Sequence, residues 1–270
     1  MDIISSEDIN QIQNEVLSFY EQNKRDLPWR KTTDPFRILL SEFMLQQTQV
    51  NRVVNYYNKW IERWPTLLDL SIASFQDILS EWIGLGYNRR AKYLHESSII
   101  LVDNYNGDVL TAMYDYQNLP GIGKYTARAV RIFAGNENIA TVDTNIRRIL
   151  IHLFHLSTTI SDRMLFDIAD RCVPKGKSCI WHNALMDYGA LYLTSRKTGI
   201  KSKTIQSTFK GSDRQIRGQI IRLLLKEPCE YKELKSYLHI RSERLDSILT
   251  KMKQDQMISK KETYYQVKGR

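Results

Sequence analysis

The chain has 270 residues, of which 42% are hydrophobic and 26% charged, and a net charge of +9, as in many folded globular proteins. Its N-terminal stretch lacks the basic region and apolar run of a secretion signal, and no later stretch is long and apolar enough to span a membrane. Its three cysteines, Cys172, Cys179 and Cys229, are too few for a disulfide framework, so we expect an intracellular protein of the cytoplasm or nucleoid.

Helical periodicity dominates the chain from residue 5 to about residue 195. Apolar residues recur there at three- and four-residue spacing, as in the run from Ile9 to Phe19, and no stretch alternates like a strand. Proline, glycine and asparagine interrupt the pattern at DLPWRKTTDP (26–35), NYNG (104–107) and NLPGIG (118–123). The spacing therefore predicts an all-α domain over residues 1–195.

Glu42 lies in FRILLSEFMLQQTQV (36–50), where most of its neighbours three and four positions away are apolar. Burial beside such a stripe raises the pKa of a carboxyl and keeps it protonated, as a general acid requires. A glutamate at the edge of the stripe that reaches solvent fits the same pattern. Gln46 and Gln47 follow, and their amides are suited to replacing an extruded nucleotide or reading a partner base.

The segment LPGIGKYTARAV (119–130) is the most diagnostic local motif. Gly121 helps to break the preceding helix, Gly123 permits a tight turn, and a new helix continues from Thr126 onward. Free backbone N–H groups at the start of that helix, together with Lys124, would form a site for a DNA phosphate. An ordinary glycine-rich turn between two helices has the same local sequence.

Asp143 lies in ATVDTNIRRIL (140–150), just before a helix that begins near Asn145. An aspartate at this position commonly caps a helix. A carboxylate near the phosphate site would also stabilise the positive charge that develops at C1′ when a base leaves its sugar. The local sequence leaves both interpretations open.

Positive charge is concentrated in the last quarter of the chain. Residues 1–195 hold 20 Lys and Arg against 22 Asp and Glu, whereas residues 196–270 hold 19 against 8. This asymmetry predicts a C-terminal module that contacts a polyanion, although a solvated basic surface gives the same count.

The order of elements predicts the type of this module. A polar, basic linker (196–212) precedes three short helical patterns and the β-prone piece TYYQVKG, which together predict a winged helix over residues 213–270. Its candidate phosphate contacts are Arg214, Arg217, Arg222 and Lys226. A small helical cap without DNA contacts is the alternative.

Six motifs resemble the adenine DNA glycosylase (MutY-type) branch of the helix-hairpin-helix, or endonuclease III, superfamily. They are LPWR (27–30), SEFMLQQTQV (41–50), WIGLGYNRRAKYLH (82–95), LPGIGKYTA (119–127), VDTNIRR (142–148) and LMDYGALYL (185–193). The resemblance implies the all-α HhH-GPD fold of two helical subdomains with a cleft. It also implies a base excision repair enzyme that flips a mispaired base out of duplex DNA and hydrolyses its N-glycosidic bond, and we expect it to be a monomer.

The resemblance also implies roles for individual residues. Glu42 takes the role of the general acid that protonates the base and later helps to position water, and Asp143 that of the carboxylate that stabilises the cationic sugar. Tyr125 occupies the position where bifunctional members carry a lysine nucleophile. A phenol cannot form a Schiff base at C1′, so we expect a monofunctional glycosylase without efficient lyase activity.

Five further residues match positions that the family uses to hold the base or to enter the duplex. Trp29, Arg30 and Asp187 match the base pocket, whereas Gln47 and Tyr87 match residues inserted around the lesion.

The chain departs from the family pattern after LMDYGALYL. Most relatives carry four cysteines there that hold a [4Fe–4S] cluster, but the segment TSRKTGIKSKTIQSTFKGSD (194–213) contains none. We therefore expect no iron–sulfur cluster, no structural zinc and no other cofactor. The adenine-specific branch also usually ends in a Nudix-like domain that recognises 8-oxoguanine, where this chain has its short basic module.

Three functions remain open from the sequence. Excision of adenine opposite G or 8-oxoguanine ranks first because of the QQTQ run at 46–49. Removal of thymine or uracil opposite G is the second. A catalytically silent DNA-binding or regulatory protein is the third, although binding alone does not require both Glu42 and Asp143.

Overall fold

The computed structural model describes residues 4–201 and 208–269. The helices before residue 202 are α1 (Ser6–Asn23), α2 (Pro35–Leu45), α3 (Val50–Arg63), α4 (Leu67–Ile72), α5 (Phe75–Trp82), α6 (Arg89–Tyr105), α7 (Val109–Ala112), α8 (Lys124–Gly135), α9 (Thr144–Leu153), α10 (Asp162–Arg171), α11 (Ser178–Asp187) and α12 (Ser195–Thr198). Short 3-10 helices cover Pro28–Arg30 and Met113–Asn118, and a π-helical turn covers Tyr188–Tyr192. The described residues between 5 and 195 contain no strand, so the predicted all-α domain is confirmed.

The chain divides into two compact units. The described part of the first comprises residues 4–42, 109–117 and 122–201. Its core includes a cluster of buried side chains from α1, α9, α10 and α11, among them Val16, Ile149 and Trp181. Burial of such side chains, rather than helix propensity, supplies most of the stability of these short helices.

The second unit comprises residues 43–108 and 118–121 together with the C-terminal residues from 208 to 269. Its helical part packs around buried tryptophans, with the Trp60 ring 5.4 Å from the ring of Trp82 in an edge-to-face arrangement. Serine and threonine caps fix the starts of two of its helices, Thr66 at α4 and Ser74 at α5.

The C-terminal residues form a winged-helix arrangement. Its helices are α13 (Asp213–Leu224), α14 (Tyr231–Leu238) and α15 (Ser242–Gln254), and its strands are β1 (Cys229–Glu230), β2 (Ile258–Lys261) and β3 (Tyr264–Val267). The strands form an antiparallel sheet in the order β1-β3-β2, with Cys229 opposite Tyr265 and Ile258 opposite Val267. The hairpin of β2 and β3 is the predicted wing, and β1 is a strand that the sequence patterns did not indicate.

The start of the predicted linker overlaps the short helix α12. Thr194 caps α12 by accepting a hydrogen bond from the Lys197 amide, and Gly199 ends this helix in the left-handed conformation with φ +70°. Residues 202–207 of the linker lie outside the described residues. The domain boundaries 1–195, 196–212 and 213–270 stay a prediction. No helix in residues 4–201 and 208–269 combines the length and the apolar character needed to cross a membrane.

Candidate active site

Glu42 is buried near the end of α2, with 7% of its surface exposed. Burial, reinforced by the negative charge of Asp143, raises the pKa of its carboxyl to about 8. At neutral pH the side chain therefore carries a proton. A carboxylic acid in this state is able to donate to a leaving group.

Asp143 is the N-cap of α9 and keeps part of its surface exposed. Its Oδ1 accepts a hydrogen bond from the Ile146 amide at 2.7 Å. Burial raises the pKa of Asp143, while hydrogen bonds from the Ile146 and Asn145 amides oppose the rise. The aspartate therefore does cap a helix, and the positive end of that helix holds its carboxylate in place.

Tyr125 joins the two carboxyl groups into one cluster. The pKa of its phenol lies well above the usual value because of burial and the nearby charges of Glu42 and Asp143. The three side chains come from α2, from the first turn of α8 and from the cap of α9. The first unit thus brings together two predicted catalytic residues and the residue at the predicted lysine position.

A cavity of about 1010 Å³ opens at this cluster. Tyr125 and Asp143 line it, together with cationic side chains that include Arg147 and Lys201 and the aromatic ring of Phe166. The more deeply buried Glu42 is not among its lining residues. The cavity offers an aromatic ring for stacking, a carboxylate for a developing cation and positive charge for phosphates.

The hairpin residues have the backbone features that an anion site requires. Gly121 has φ +74°, and a Cβ there would lie 2.7 Å from the Cβ of Tyr93, so only glycine fits. Gly123 is the exposed N-cap of α8, and the first backbone N–H groups of this helix have no intrahelical partners. Lys124 is exposed beside them, whereas the side chain of Thr126 is buried, so Thr126 has only its amide to offer.

Side chains rather than a sheet hold the extended segment that leads to Asp143. The Thr141 amide donates to Nε2 of His182 at 3.0 Å, and the Thr141 hydroxyl donates to the Tyr125 carbonyl at 3.3 Å. Nδ1 of His182 donates to the Ser178 carbonyl at 2.8 Å, which fixes its tautomer. Burial lowers the pKa of His182 to about 4, so the ring stays neutral and remains an acceptor.

His182 was not predicted from the sequence, because a histidine on an apolar helix face gives no sign of its partner. We expect His182→Leu to leave the buried Thr141 amide unpaired, which costs about 1–3 kcal/mol of folding free energy. Because Asp143 lies two residues further on, the single-turnover rate of base release should fall about tenfold or more, since a 1 Å misplacement already costs up to 10²-fold. His182→Gln, whose amide oxygen replaces Nε2 as acceptor, should restore most of the rate. Equal rates in the leucine variant and the wild type, measured at a temperature where both are folded, would contradict this role.

The predicted base-pocket residues form a buried ion pair. Asp187 is fully buried and accepts two hydrogen bonds of 2.8 Å from Arg30, plus one of 2.9 Å from the Arg25 amide. Burial alone would raise the pKa of Asp187, but these hydrogen bonds outweigh it and hold the pKa below its usual range. Trp29, which precedes Arg30 in the sequence, is also buried. The pocket role of these three residues stays a prediction.

The residues predicted to enter the duplex lie in the second unit. Gln46 is half-buried, Gln47 is exposed, and Tyr87 is partly exposed. Gln47 and Tyr87 both adopt positive φ angles, 57° and 49°, which is uncommon for residues other than glycine.

Two of the predicted phosphate contacts of the winged helix have partners inside the chain. Arg214 donates a hydrogen bond to the Tyr87 hydroxyl, and Arg217 forms a 2.5 Å ion pair with Asp255. Arg222 on the same helix is exposed. Their contacts make Arg214 and Arg217 less available to DNA than their charge alone suggests.

Comparisons with known proteins decide the family. The family model described as "HhH-GPD superfamily base excision DNA repair protein" matches residues 40–175. The chain belongs to this superfamily. Its enzyme class is accordingly that of the DNA N-glycosylases of base excision repair, and DNA is its partner.

Similar proteins support this membership in sequence and in fold. An adenine DNA glycosylase of Mycolicibacterium smegmatis is 37% identical, over 78% of this chain and 79% of its own length. The human adenine DNA glycosylase is 32% identical, but the chain spans only 42% of its length. A solved thermostable thymine-DNA glycosylase matches with a TM-score of 0.65 and 29% identity, over 71% of this chain and 90% of that one. An endonuclease III in complex with DNA shares the HhH-GPD fold, with a TM-score of 0.63 and 20% identity over 72% and 89% of the two chains.

Proposed function

We propose that this HhH-GPD protein is a monofunctional adenine DNA glycosylase that acts as a monomer on mismatched duplex DNA. Its substrate is adenine opposite G or 8-oxoguanine, and the protein is located in the cytoplasm or nucleoid. One observation supports the proposed catalytic activity most directly. Glu42, with a pKa of about 8, lies close enough to Asp143 to be affected by the charge of that residue. Two nearby carboxyl groups, one deeply buried and protonated and the other held by backbone amides at the start of a helix, are suited to acid-assisted loss of a base.

The reaction follows from the different states of the two carboxyl groups. Glu42 donates its proton to a ring nitrogen of the flipped adenine, and the electrons of the C1′–N9 bond leave with the base. Asp143 stabilises the positive charge that remains on C1′ and the ring oxygen. Water then attacks C1′ and gives a proton to the Glu42 carboxylate. The products are free adenine and an abasic site, and the acid is restored.

Adenine is favoured by the relatives, and thymine is the second candidate. The most similar proteins described above are named adenine DNA glycosylases at 32–37% identity. The thymine-DNA glycosylase structure, at 29% identity, is the observation that favours removal of thymine or uracil opposite G.

The proposed absence of efficient lyase activity is based on Tyr125. A phenol has no amine with which to form a Schiff base. We expect Tyr125→Lys to gain such an intermediate, because a lysine desolvated at this site has a lowered pKa and a nucleophilic amine. Borohydride treatment should trap a covalent complex with DNA for this variant and none for the wild type. The neighbouring Lys124, which is exposed, is the control: at saturating enzyme, where weaker phosphate binding does not limit the yield, Lys124→Gln in the Tyr125→Lys background should leave trapping unchanged.

We further propose that the enzyme works without an iron–sulfur cluster. A [4Fe–4S] cluster is held by four thiolates, and the chain contains three cysteines. Burial raises the pKa of Cys172 to about 12, so this thiol stays protonated. In residues 4–201 and 208–269, no group of three metal-ligating side chains is found. The side chains present therefore do not fit the cluster of the family.

Single-turnover base release from a matched set of duplexes tests the proposed function. The set contains A:8-oxoG, A:G, T:G, U:G and hypoxanthine:T, with abasic sites revealed by alkali beside an untreated lane. Release of adenine alone, and strand breaks only after alkali, is the expected result. Release of T or U would move the protein to the second candidate. If no base is released from any duplex although the protein binds DNA tightly, the result would instead favour a catalytically silent DNA-binding protein.

A further inference from the structure

Two turns of the second unit hold residues in an unusual backbone conformation. Gln47, after α2, has φ 57°, and Tyr87, before α6, has φ 49°. The left-handed conformation is unfavourable for a residue with a Cβ. Such conformations persist only where the surrounding structure fixes them, and they cluster at functional sites. The contacts that fix these two turns therefore indicate what the turns do.

The buried side chain of Arg90 connects the two turns. It is 7% exposed, and its guanidinium donates to the C-terminal end of α2, to the turn that contains Gln47 and to the turn that contains Tyr87. The acceptors are the carbonyls of Phe43, Met44, Leu85 and Gly86, at 2.8–3.2 Å, and the Thr48 hydroxyl at 3.0 Å. A single buried cation thus ties the two turns into one piece.

Arg214, from the winged helix, holds the Tyr87 ring as well. Its guanidinium carbon lies 4.6 Å from the ring centroid and that of Arg90 lies 5.7 Å from it, so two guanidinium groups contact one aromatic ring. Arg214 also donates a hydrogen bond to the Tyr87 hydroxyl. One turn further along α13, Arg217 pairs with Asp255, which also lies 3.5 Å from Arg89. The first helix of the module is therefore joined to the Tyr87 turn by two sets of polar contacts.

We propose that the winged-helix module is a positioning element for the Tyr87 turn, and that Arg214 is the residue through which it acts. Together with Arg90, Arg214 keeps the Tyr87 ring preset, so that the turn meets a mispair without first having to be ordered. This inference rests on the proposed function and on the predicted insertion of Tyr87 into the duplex around the lesion. It assigns Arg214 to recognition of the mispair rather than to general phosphate binding.

A double-mutant cycle tests the coupling of Tyr87 and Arg214. Equilibrium binding is measured for the wild type, Arg214→Met, Tyr87→Leu and the double variant. The duplexes carry non-hydrolysable 2′-fluoro-2′-deoxyadenosine opposite G or opposite T, at salt concentrations between 50 and 200 mM. Methionine keeps most of the arginine stem but removes the charge and the donors. Arg222→Met, an exposed cation on the same helix, is the matched control.

The expected result is a loss of discrimination without a loss of phosphate contacts. Arg214→Met should lower the preference for the mispaired over the paired duplex about tenfold, and should have no further effect in the Tyr87→Leu background. Its salt slope should equal that of the wild type, whereas Arg222→Met, if it removes a phosphate contact, lowers the slope by about 0.9 and keeps the preference. Arg214→Lys retains the charge but not the planar stacking, so it should also lose the preference.

Two outcomes would overturn the proposal. One is equal weakening on all duplexes with a lower salt slope, which would make Arg214 a phosphate ligand as its charge predicts. The other is additivity of the two substitutions. Base release by the wild type tests the proposed function separately. If T or U is released instead of adenine, the double-mutant cycle is measured on duplexes with the corresponding T:G or U:G mispair. Coupling of Tyr87 and Arg214 on that mispair would still support this inference.

Discussion

Glu42→Gln is expected to abolish base release, lowering the single-turnover rate by about 10³-fold, within the range that a general acid contributes. Glutamine is close to glutamate in size and remains uncharged, but it has no acidic proton for the leaving base. The measurement is release of adenine from an A:G duplex at saturating enzyme, with binding followed in parallel. Binding should survive, because the substitution removes no phosphate contact.

The same substitution should stabilise the fold, which separates its effect from misfolding. The pKa of Glu42 is about 8 in the folded chain against an ordinary value of 4.5, so unfolding between these pH values releases a proton. Stability of the wild type therefore falls as pH rises through this window, by on the order of a few kcal/mol. Glu42→Gln should lose this dependence, whereas Glu62→Gln, at an exposed position, should keep it.

The pH profile of the wild type gives an independent view of the same acid. Only the protonated form of Glu42 donates, so the rate of base release should decline as pH rises through about 8. A rate that climbs through pH 8, or a glutamine variant with the wild-type rate, would remove Glu42 from the mechanism.

Periodicity and motif order were sufficient to predict the helical domain and the winged helix. The spacing of apolar residues reports directly which face of a helix is buried, so the elements before residue 195 followed from it. The two-residue strand β1 is too short to show an alternating pattern. It forms because β3 pairs with it, and this partner lies more than thirty residues away in the chain.

The site was predictable only where one residue carries the chemistry alone. The local sequence left Asp143 between helix capping and catalysis, and the structure shows why: the cap bond to Ile146 holds the carboxylate at the cavity. Charge counting suggested phosphate contacts for Arg214, but the count does not reveal that Tyr87 is its partner. The role of His182 depends on the Thr141 amide 41 residues away, which no local pattern contains.

Asp143→Ser is expected to be as severe as the loss of the acid, with base release reduced by about 10³-fold. Serine is also a preferred N-cap, so its hydroxyl can accept from the Ile146 amide and keep α9 in place. What it lacks is the negative charge beside the cationic sugar. The rate is measured on the A:G duplex under the same conditions as for Glu42→Gln.

A cap elsewhere in the same unit separates the two roles of Asp143. Ser161 caps α10 through the Met164 amide at 3.3 Å, and Ser161→Ala should cost about 1 kcal/mol of stability with little effect on rate. If Asp143 acted only as a cap, Asp143→Ser would be nearly as active as the wild type, and Ser161→Ala would reduce stability more than Asp143→Ser does.

Loss of the Asp143 charge should also lower the pKa of Glu42, because that charge is one of the two causes of the rise in this pKa. The pH window in which stability falls should then close below pH 8 in Asp143→Ser, which reports the electrostatic interaction of the two carboxyl groups even in an inactive enzyme.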